Sequence, residues 1–376
     1  MKKNILLISH YIKIPGMVDK YYAYCMKKGY DTWVIKHPLI PSQKLPSEIT
    51  SFKNTIRFYI NPILSYPLEG IMTAIKWAGI RDKKAFDLAI AFDPLSFVDL
   101  YLFRSIYNVK KIVYYNLDYS KKRFSNPLMD FIYKQINLFA FRHCDYFFSV
   151  AKMFLIDIDP KKKYANKTFI VKHPVETGLI NFGKIRRREH LVYVGSIGIN
   201  VDFSRLFLAL NRLKKEGIIF HLDIYGGGFG KKSLEDDVNR MKLSKLVSFK
   251  GTVDNAILVR NILPSYGIGV CPYVMKKNNK EVDYMYNGND LTAKLVEYIA
   301  AGLPIVATKL YDAFDMIPKE NFGFLVETEE EWHKTLKTLI TDGSLQEKYR
   351  ANALRFARKY DEEEVITPIF KKILQF

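Results

Sequence analysis

Cysteine is scarce in this chain of 376 residues. There are three, Cys25, Cys144 and Cys271, scattered and without paired spacing. That excludes a disulfide framework and a zinc site built on cysteine pairs, and it fits a reducing cytoplasm. Long apolar runs are also missing. The opening Met1-Lys-Lys-Asn-Ile-Leu-Leu-Ile-Ser9 is too short for a signal peptide and lacks a small-residue cleavage site, so it reads as a first strand. No stretch approaches the roughly twenty apolar residues that cross a bilayer, so a soluble or peripheral protein is expected. The spacing Asp157-Ile-Asp159 stands next to Pro160 after a helical stretch and reads as a surface turn. No metal and no cofactor are expected. Short-period repeats and low-complexity segments are absent.

Acid is the minority charge, 39 Asp and Glu against 58 Lys and Arg, for a net charge of +19. The excess is uneven: residues 1–175 hold 28 Lys and Arg against 13 Asp and Glu, or +15, and the remainder only +4. Aromatic-rich runs in the same half, Phe97 to Tyr107 and Phe131 to Phe148, are interleaved with Arg104, Lys110, Lys111, Lys134 and Arg142. Basic and aromatic together suit an anionic membrane surface first and nucleic acid second. The plainer account is a lysine-rich composition with ordinary buried aromatics.

With 48% hydrophobic residues the chain is a folded globular one, long enough for two domains. Strand-like runs alternate with helical patterns, which points to parallel α/β architecture. Strands are expected at 4–9, 32–36, 87–92, 111–116, 146–150 and 168–172, and, after a restart, at 190–195, 220–225, 246–251, 268–273 and 305–307. The joint is expected within Pro174 to Glu189, giving domains at 1–180 and 181–355. The tail reads as helices at 329–341, 345–360 and 362–374.

The most informative segment is Asn289-Asp-Leu-Thr-Ala-Lys294-Leu-Val-Glu297-Tyr-Ile-Ala-Ala-Gly302-Leu-Pro304-Ile-Val-Ala-Thr308. Asn289 and Asp290 are good N-cap types for a helix over 291–301, whose positive end attracts phosphate. Thr292 and Ala293 lie at that end, and Lys294 adds a point charge to a diphosphate held there. Glu297 is three residues on, on the same face, placed to accept hydrogen bonds from ribose hydroxyls. Gly302 and Pro304 end the helix before a buried strand. The competing account is a surface Lys294–Glu297 ion pair on an amphipathic helix.

Three glycine turns follow strands: Val194-Gly195-Ser196-Ile-Gly198, Tyr225-Gly226-Gly-Gly228, and Phe249-Lys-Gly251-Thr252-Val253. Each alone is more often just a turn. In this order, and followed by Lys294-Leu-Val-Glu297-Tyr and Gly302-Leu-Pro304, they resemble the donor site of the GT-B glycosyltransferases of family 4-like, polysaccharide-assembly type. The resemblance is specific over Leu191 to Thr308 and holds for the first half only in layout. It implies two Rossmann-like doubly wound domains facing across a cleft, with the last helix, 356–376, crossing back to the first domain. It also implies a nucleoside diphosphate sugar as donor, with uridine the favoured base. Gly195, Ser196, Tyr225, Gly226, Thr252, Val253, Tyr273, Thr292, Ala293, Lys294 and Glu297 would bind it. Two departures stand out. Asn289 occupies the place of a second glutamate, and Gly195 to Asp202 holds no Lys or Arg, leaving more of the phosphate charge to Lys294, with Lys276 or Lys277 as helpers.

Glycosyl transfer needs its leaving phosphates stabilised and, where it inverts, a base for the acceptor hydroxyl. Asp118, just past a strand, is the first candidate, and its plain alternative is a cap paired with Lys121 or Arg123. His10, after the first strand, is the second, and Asp93 the third. The acceptor expected is a glycan or a lipid-linked sugar at the cytoplasmic membrane face. Other readings are a nucleotide-sugar 2-epimerase, a DNA-binding or DNA-glucosylating protein, and a noncatalytic partner subunit.

Overall fold

The short runs rich in Val, Ile and Leu become strands covered on both faces, as parallel sheets require. The computed structural model describes the chain apart from residues 1, 12–15, 40–44, 52–53, 61–64, 80–84, 118–122, 125, 151–154, 156–157, 184–185, 199, 275–290, 311 and 375–376. It divides into two compact units, Met1–Val171 with Pro368–Phe376, and Lys172–Thr367.

Unit 1 contains β1 (Asn4–Tyr11), β2 (Asp31–Pro38), β3 (Ser47–Ser51), β4 (Thr55–Phe58), β5 (Leu88–Ala91), β6 (Ile112–Asn116), β7 (Tyr146–Ser149) and β8 (Thr168–Ile170). They form one sheet in the order β4-β3-β2-β1-β5-β6-β7-β8. From β2 across to β8 the pairings are parallel. The hairpin of β3 and β4 adds an antiparallel edge that sequence patterning did not anticipate. Its segments are short and mix Ser, Glu, Thr and Arg, so they carry little apolar signal. The main helices are α1 (Met17–Lys27), α2 (Ser65–Ala78), α3 (Pro94–Leu102) and α4 (Pro127–His143). The order in which strands are added reverses between β1 and β5, which makes their carboxyl ends the switch point of the sheet.

Unit 2 contains β9 (Arg187–Val194), β10 (His221–Tyr225), β11 (Val247–Gly251), β12 (Tyr266–Cys271), β13 (Ile305–Thr308) and β14 (Gly323–Val326), an all-parallel sheet in the order β11-β10-β9-β12-β13-β14. This is the dinucleotide-fold order, with its switch point between β9 and β12. Its helices are α5 (Ser204–Lys215), α6 (Lys231–Arg240), α7 (Ala293–Ala300), α8 (Glu329–Thr341) and α9 (Gly343–Ala357). α9 starts two residues before the expected position because Asp342 accepts the Leu345 N–H at 2.9 Å and caps it there. The division at Val171 precedes the expected joint, because Val175 already pairs within unit 2: its N–H donates to Tyr360 O at 2.8 Å, and its carbonyl accepts from Glu362 N–H at 3.2 Å.

The last helix, α10 (Glu362–Leu374), belongs to unit 1 from Pro368 onward. Phe370 is buried there, edge-on to Tyr24 at 5.6 Å between ring centroids and stacked on Tyr30 at 6.4 Å. Lys111 Nζ donates to the Ile373 carbonyl at 2.8 Å, a cation placed at the negative end of the helix. Phe370→Ala removes the buried ring and is expected to destabilise unit 1 by about 3 to 4 kcal/mol. Urea unfolding followed through the unit 1 tryptophans Trp33 and Trp77 reads this, and a loss under about 1 kcal/mol would mean the ring does not hold the helix.

Candidate functional site

At the carboxyl end of β9 the chain turns through Gly195, whose φ of 143° lies in the region open to glycine. A Cβ there would stand 2.7 Å from Lys294 Nζ, so the turn and the ammonium share one space. Lys294 sits in the first turn of α7. Its Nζ lies 4.5 Å from the ring centroid of Tyr193 and 5.2 Å from that of Tyr273. It also donates to Tyr193 Oη at 3.3 Å, a hydroxyl that itself donates to the Ser196 carbonyl at 2.8 Å. Burial lowers the Lys294 pKa from its ordinary value, against the opposing pull of Cys271 and Glu297. A desolvated cation between two aromatic faces favours an anion in contact with it.

Thr292 is the N-cap of α7, two residues later than a helix beginning at 291 would have it. Asn289 and Asp290 lie outside the described residues. The Thr292 side chain makes no capping bond and instead meets Tyr273 Oη at 2.9 Å, so it does not cover the first-turn N–H groups. Glu297 is buried one turn on, where Oε1 accepts from Asn255 Nδ2 at 3.0 Å. Tyr298 fixes the floor: its hydroxyl accepts from Val194 N–H at 2.8 Å and donates to Val192 O at 3.2 Å. α7 closes in a Schellman arrangement, with Gly302 N–H on Ile299 O and Leu303 N–H on Tyr298 O.

The glycine turns approach one another. Gly195 N–H donates to Tyr225 O at 3.0 Å, Gly226 N–H to Gly251 O at 2.7 Å and Ile197 N–H to Gly227 O at 2.8 Å. A Cβ on Gly226 would lie 2.0 Å from Gly195 O, and one on Gly228 2.3 Å from Ile197 O. These glycines are therefore required by backbone meeting backbone, before any ligand is considered. Ser196 and Thr252 are exposed beside them, and Tyr225 and Val253 are half-buried.

In unit 1 the switch point between β1 and β5 is filled by a buried ionic cluster. His10 Nδ1 lies 2.9 Å from Asp93 Oδ1, and Nε2 lies 2.7 Å from Glu69 Oε1. Asp93 also accepts the His10 backbone N–H at 2.8 Å and caps α3 through Ser96 N–H at 2.9 Å. Burial opposes the charge on His10, but Asp93 and Glu69 outweigh it and raise the pKa to about 10. Burial alone would raise the Asp93 carboxyl, yet His10 holds it well below the usual range. An imidazolium bonded at both nitrogens has no lone pair with which to take a proton, which corrects the expectation of His10 as a base. His37 packs 5.6 Å away, ring to ring, with its pKa lowered to about 3 by burial and by His10, and faces Asp99, raised to about 7 by burial and by Glu69.

Of the expected residues, Gly195, Ser196, Tyr225, Gly226, Thr252, Val253, Tyr273, Thr292, Ala293, Lys294 and Glu297 all come from the carboxyl edge of the unit 2 sheet or the start of α7. Asp118, Lys276, Lys277 and Asp157 lie outside the described residues. Asp159 is not the surface turn expected: it is buried and accepts the N–H groups of Lys163 at 2.8 Å and Tyr164 at 2.9 Å. Tyr193, Asn255 and Glu69 were missed. Tyr193, one residue before the Val-Gly turn, was the only one with a local signal.

The His10 cluster has a pH signature. A histidine raised in the fold from about 6.5 to about 10 stabilises fully below its unfolded pKa, and that contribution is lost as pH rises through the folded one. The stability gap between wild type and His10→Gln should therefore be widest at about pH 6, below the unfolded pKa, and narrow toward pH 10. Urea midpoints at both pH values check it, and a gap that stays constant rules out a charged His10.

Residues 188–342 match the family profile described as Glycosyl transferases group 1. Among curated proteins no sequence matches the chain. Among solved structures it is similar to Anabaena HepE in complex with UDP-glucose, at 14% identity and TM-score 0.66 over 99% of this chain and 100% of that one. It is also similar to WaaG, a glycosyltransferase involved in lipopolysaccharide biosynthesis, at 14% identity and TM-score 0.61 over 98% and 99%. The pneumococcal O-GlcNAc transferase GtfA in complex with UDP and GlcNAc aligns at 13% identity and TM-score 0.58 over 87% of this chain. The chain spans 62% of that protein's length and 62% of S. aureus TarM. The chain thus has the fold of the GT-B glycosyltransferases, and its residues 188–342 carry the group 1 glycosyl transferase signature.

Proposed function

We propose that this protein transfers a sugar from a nucleoside diphosphate donor, a UDP-sugar, to a glycan or lipid-linked acceptor in cell-surface polysaccharide or glycoconjugate assembly. The observation that carries the reading is the Lys294 ammonium, beside Tyr193 and Tyr273, close to Gly195 and at a helix start that the Thr292 side chain does not cap. In this reading the diphosphate is held by Lys294 and the N–H groups that follow Thr292 and Ala293, so its developing negative charge is met without a metal ion. Glu297, steadied by Asn255, takes the ribose hydroxyls. The backbone at Gly195–Ser196, Tyr225–Gly226 and Thr252–Val253 lines the rest of the nucleotide, with Tyr273 as a wall. The similar structures in complex with UDP and GlcNAc, and with UDP-glucose, support the choice of donor.

Asp118 takes the acceptor proton if transfer inverts, and orients the acceptor if it retains. His10, fixed by two carboxylates, keeps a positive charge at the unit 1 switch point and is no base. The basic first half fits a peripheral protein at the cytoplasmic face of an anionic membrane.

Thermal shift with the diphosphates of uridine, guanosine, adenosine and cytidine tests the donor site. UDP is expected to stabilise the wild type. Lys294→Ala removes a charge-assisted contact worth about 1.5 to 3 kcal/mol, which is roughly 10- to 100-fold in Kd. If no nucleotide stabilises the protein, or if Lys294→Ala binds UDP as well as wild type, the donor site is misassigned.

A further inference from the structure

The amino end of the unit 2 sheet carries a concentration of arginine that the donor reading does not use. Arg186 precedes β9, Arg187 and Arg188 open it, and Arg350 comes from α9. Three of these guanidinium groups converge on one carboxylate. Glu347 Oε1 lies 2.7 Å from Arg186 Nη1 and 3.5 Å from Arg188 Nη2, and Oε2 lies 3.8 Å from Arg350 Nε. Two glycines make room for them. A Cβ on Gly343 would stand 2.4 Å from Arg188 Nη1, and one on Gly302 2.7 Å from Arg350 Nη1.

The three cations are held unequally. Arg186 is taken up by the fold: besides Glu347, its Nη2 donates to Gln346 Oε1 and its Nε to Tyr266 O at 3.2 Å. Burial lowers its pKa against the pull of Glu347, and repulsion from Arg350 and Arg188 adds to the fall. Arg188 and Arg350 make no side-chain hydrogen bond among the described residues. Their 3.5 and 3.8 Å from Glu347 exceed the roughly 2.7 to 2.9 Å of a charge-assisted bond. Arg350 Nη1 is buried without a hydrogen-bond partner, and its guanidinium lies over the Phe182 ring at 5.0 Å. The acids adjacent in sequence are engaged elsewhere: Asp342 caps α9 on the Leu345 N–H, and Glu189 faces His190 at 3.7 Å. Three cations against one carboxylate leave two positive charges in excess, and Arg188, 54% exposed, opens them to solvent.

We propose that Arg188 and Arg350, backed by Arg186 and Glu347, form a binding site for a dianionic phosphate group, inorganic or carried as a monoester. Guanidinium forks match phosphate oxygens in pairs, so the anion supplies the acceptors that Glu347 does not. Its two negative charges equal the local excess. Occupancy ties the start of β9 to α9. The site is separate from the donor end, because about 23 Å of strand runs from Arg188 to Gly195.

Thermal shift of the full chain tests this at constant ionic strength and about pH 8, where phosphate is a dianion. Potassium chloride is exchanged stepwise for inorganic phosphate in one arm and for glycerol phosphate in the other. The wild-type melting temperature should rise and saturate, and the arm with the lower Kd names the source as free or esterified phosphate. Arg188→Ala, at an exposed position, should raise the phosphate Kd at least about tenfold. Glu347→Gln removes the competing carboxylate, so it should melt lower in chloride and gain more from phosphate than wild type. Lys294→Ala should keep the wild-type phosphate shift. No shift in either arm, a shift in Arg188→Ala equal to wild type, or a shift lost in Lys294→Ala each overturns the proposal. UDP stabilisation, measured on the same samples, tests the donor reading separately, so either site can fail without the other.

Discussion

A parallel sheet covered on both faces confines polar chemistry to its ends, and both units obey that constraint. Along β5, β6, β12 and β13 every residue is buried. A charged side chain in mid-strand would have to be solvated by the protein itself. Polar groups therefore gather where strands stop and the connection reverses: at Gly195, Tyr273 and α7 in unit 2, and at His10 and Asp93 in unit 1. The exception tests the rule. Asp223, in the middle of β10, is buried, and it is met by Tyr266 Oη at 2.5 Å, by His221 at 3.2 Å and by Lys250 at 3.3 Å.

That constraint also explains what was legible in the sequence. Strands buried on both faces are written as contiguous apolar runs, so those at 4–11, 112–116 and 305–308 could be read directly, as could the bounds of α8, 329–341. Lys294, Glu297 and the glycine turns were legible because they sit within one turn of helix or immediately after strands. Edge strands β3 and β4 were not, since half-solvated short strands have no contiguous apolar signal. Neither was Glu69: it reaches His10 across 59 residues, and nothing around it in sequence marks a partner. The glycines were legible as positions but not as causes, because only the structure shows that the carbonyls of Gly195 and Ile197 stand where side chains on Gly226 and Gly228 would be.

Two cations, His10 buried and Lys294 half-buried, show how one fold treats charge in opposite ways. His10 is enclosed with two carboxylates, one on each ring nitrogen, and its pKa rises. Its charge is completed inside the fold, and the hydrogen bonds tie β1 to α2 and to the start of α3. Lys294 is enclosed with two aromatic rings, and its pKa falls. Aromatic faces stabilise a cation by about 0.5 to 2 kcal/mol, and burial still lowers the Lys294 pKa. An anion arriving beside it relieves the cost of that burial as well as adding its own attraction. The carboxylate nearest in sequence, Glu297, is turned toward Asn255 instead. This separation of cation and acid by one helical turn is what a ligand with a negative end and a hydroxylated end can exploit, and a simple surface ion pair would have cancelled it.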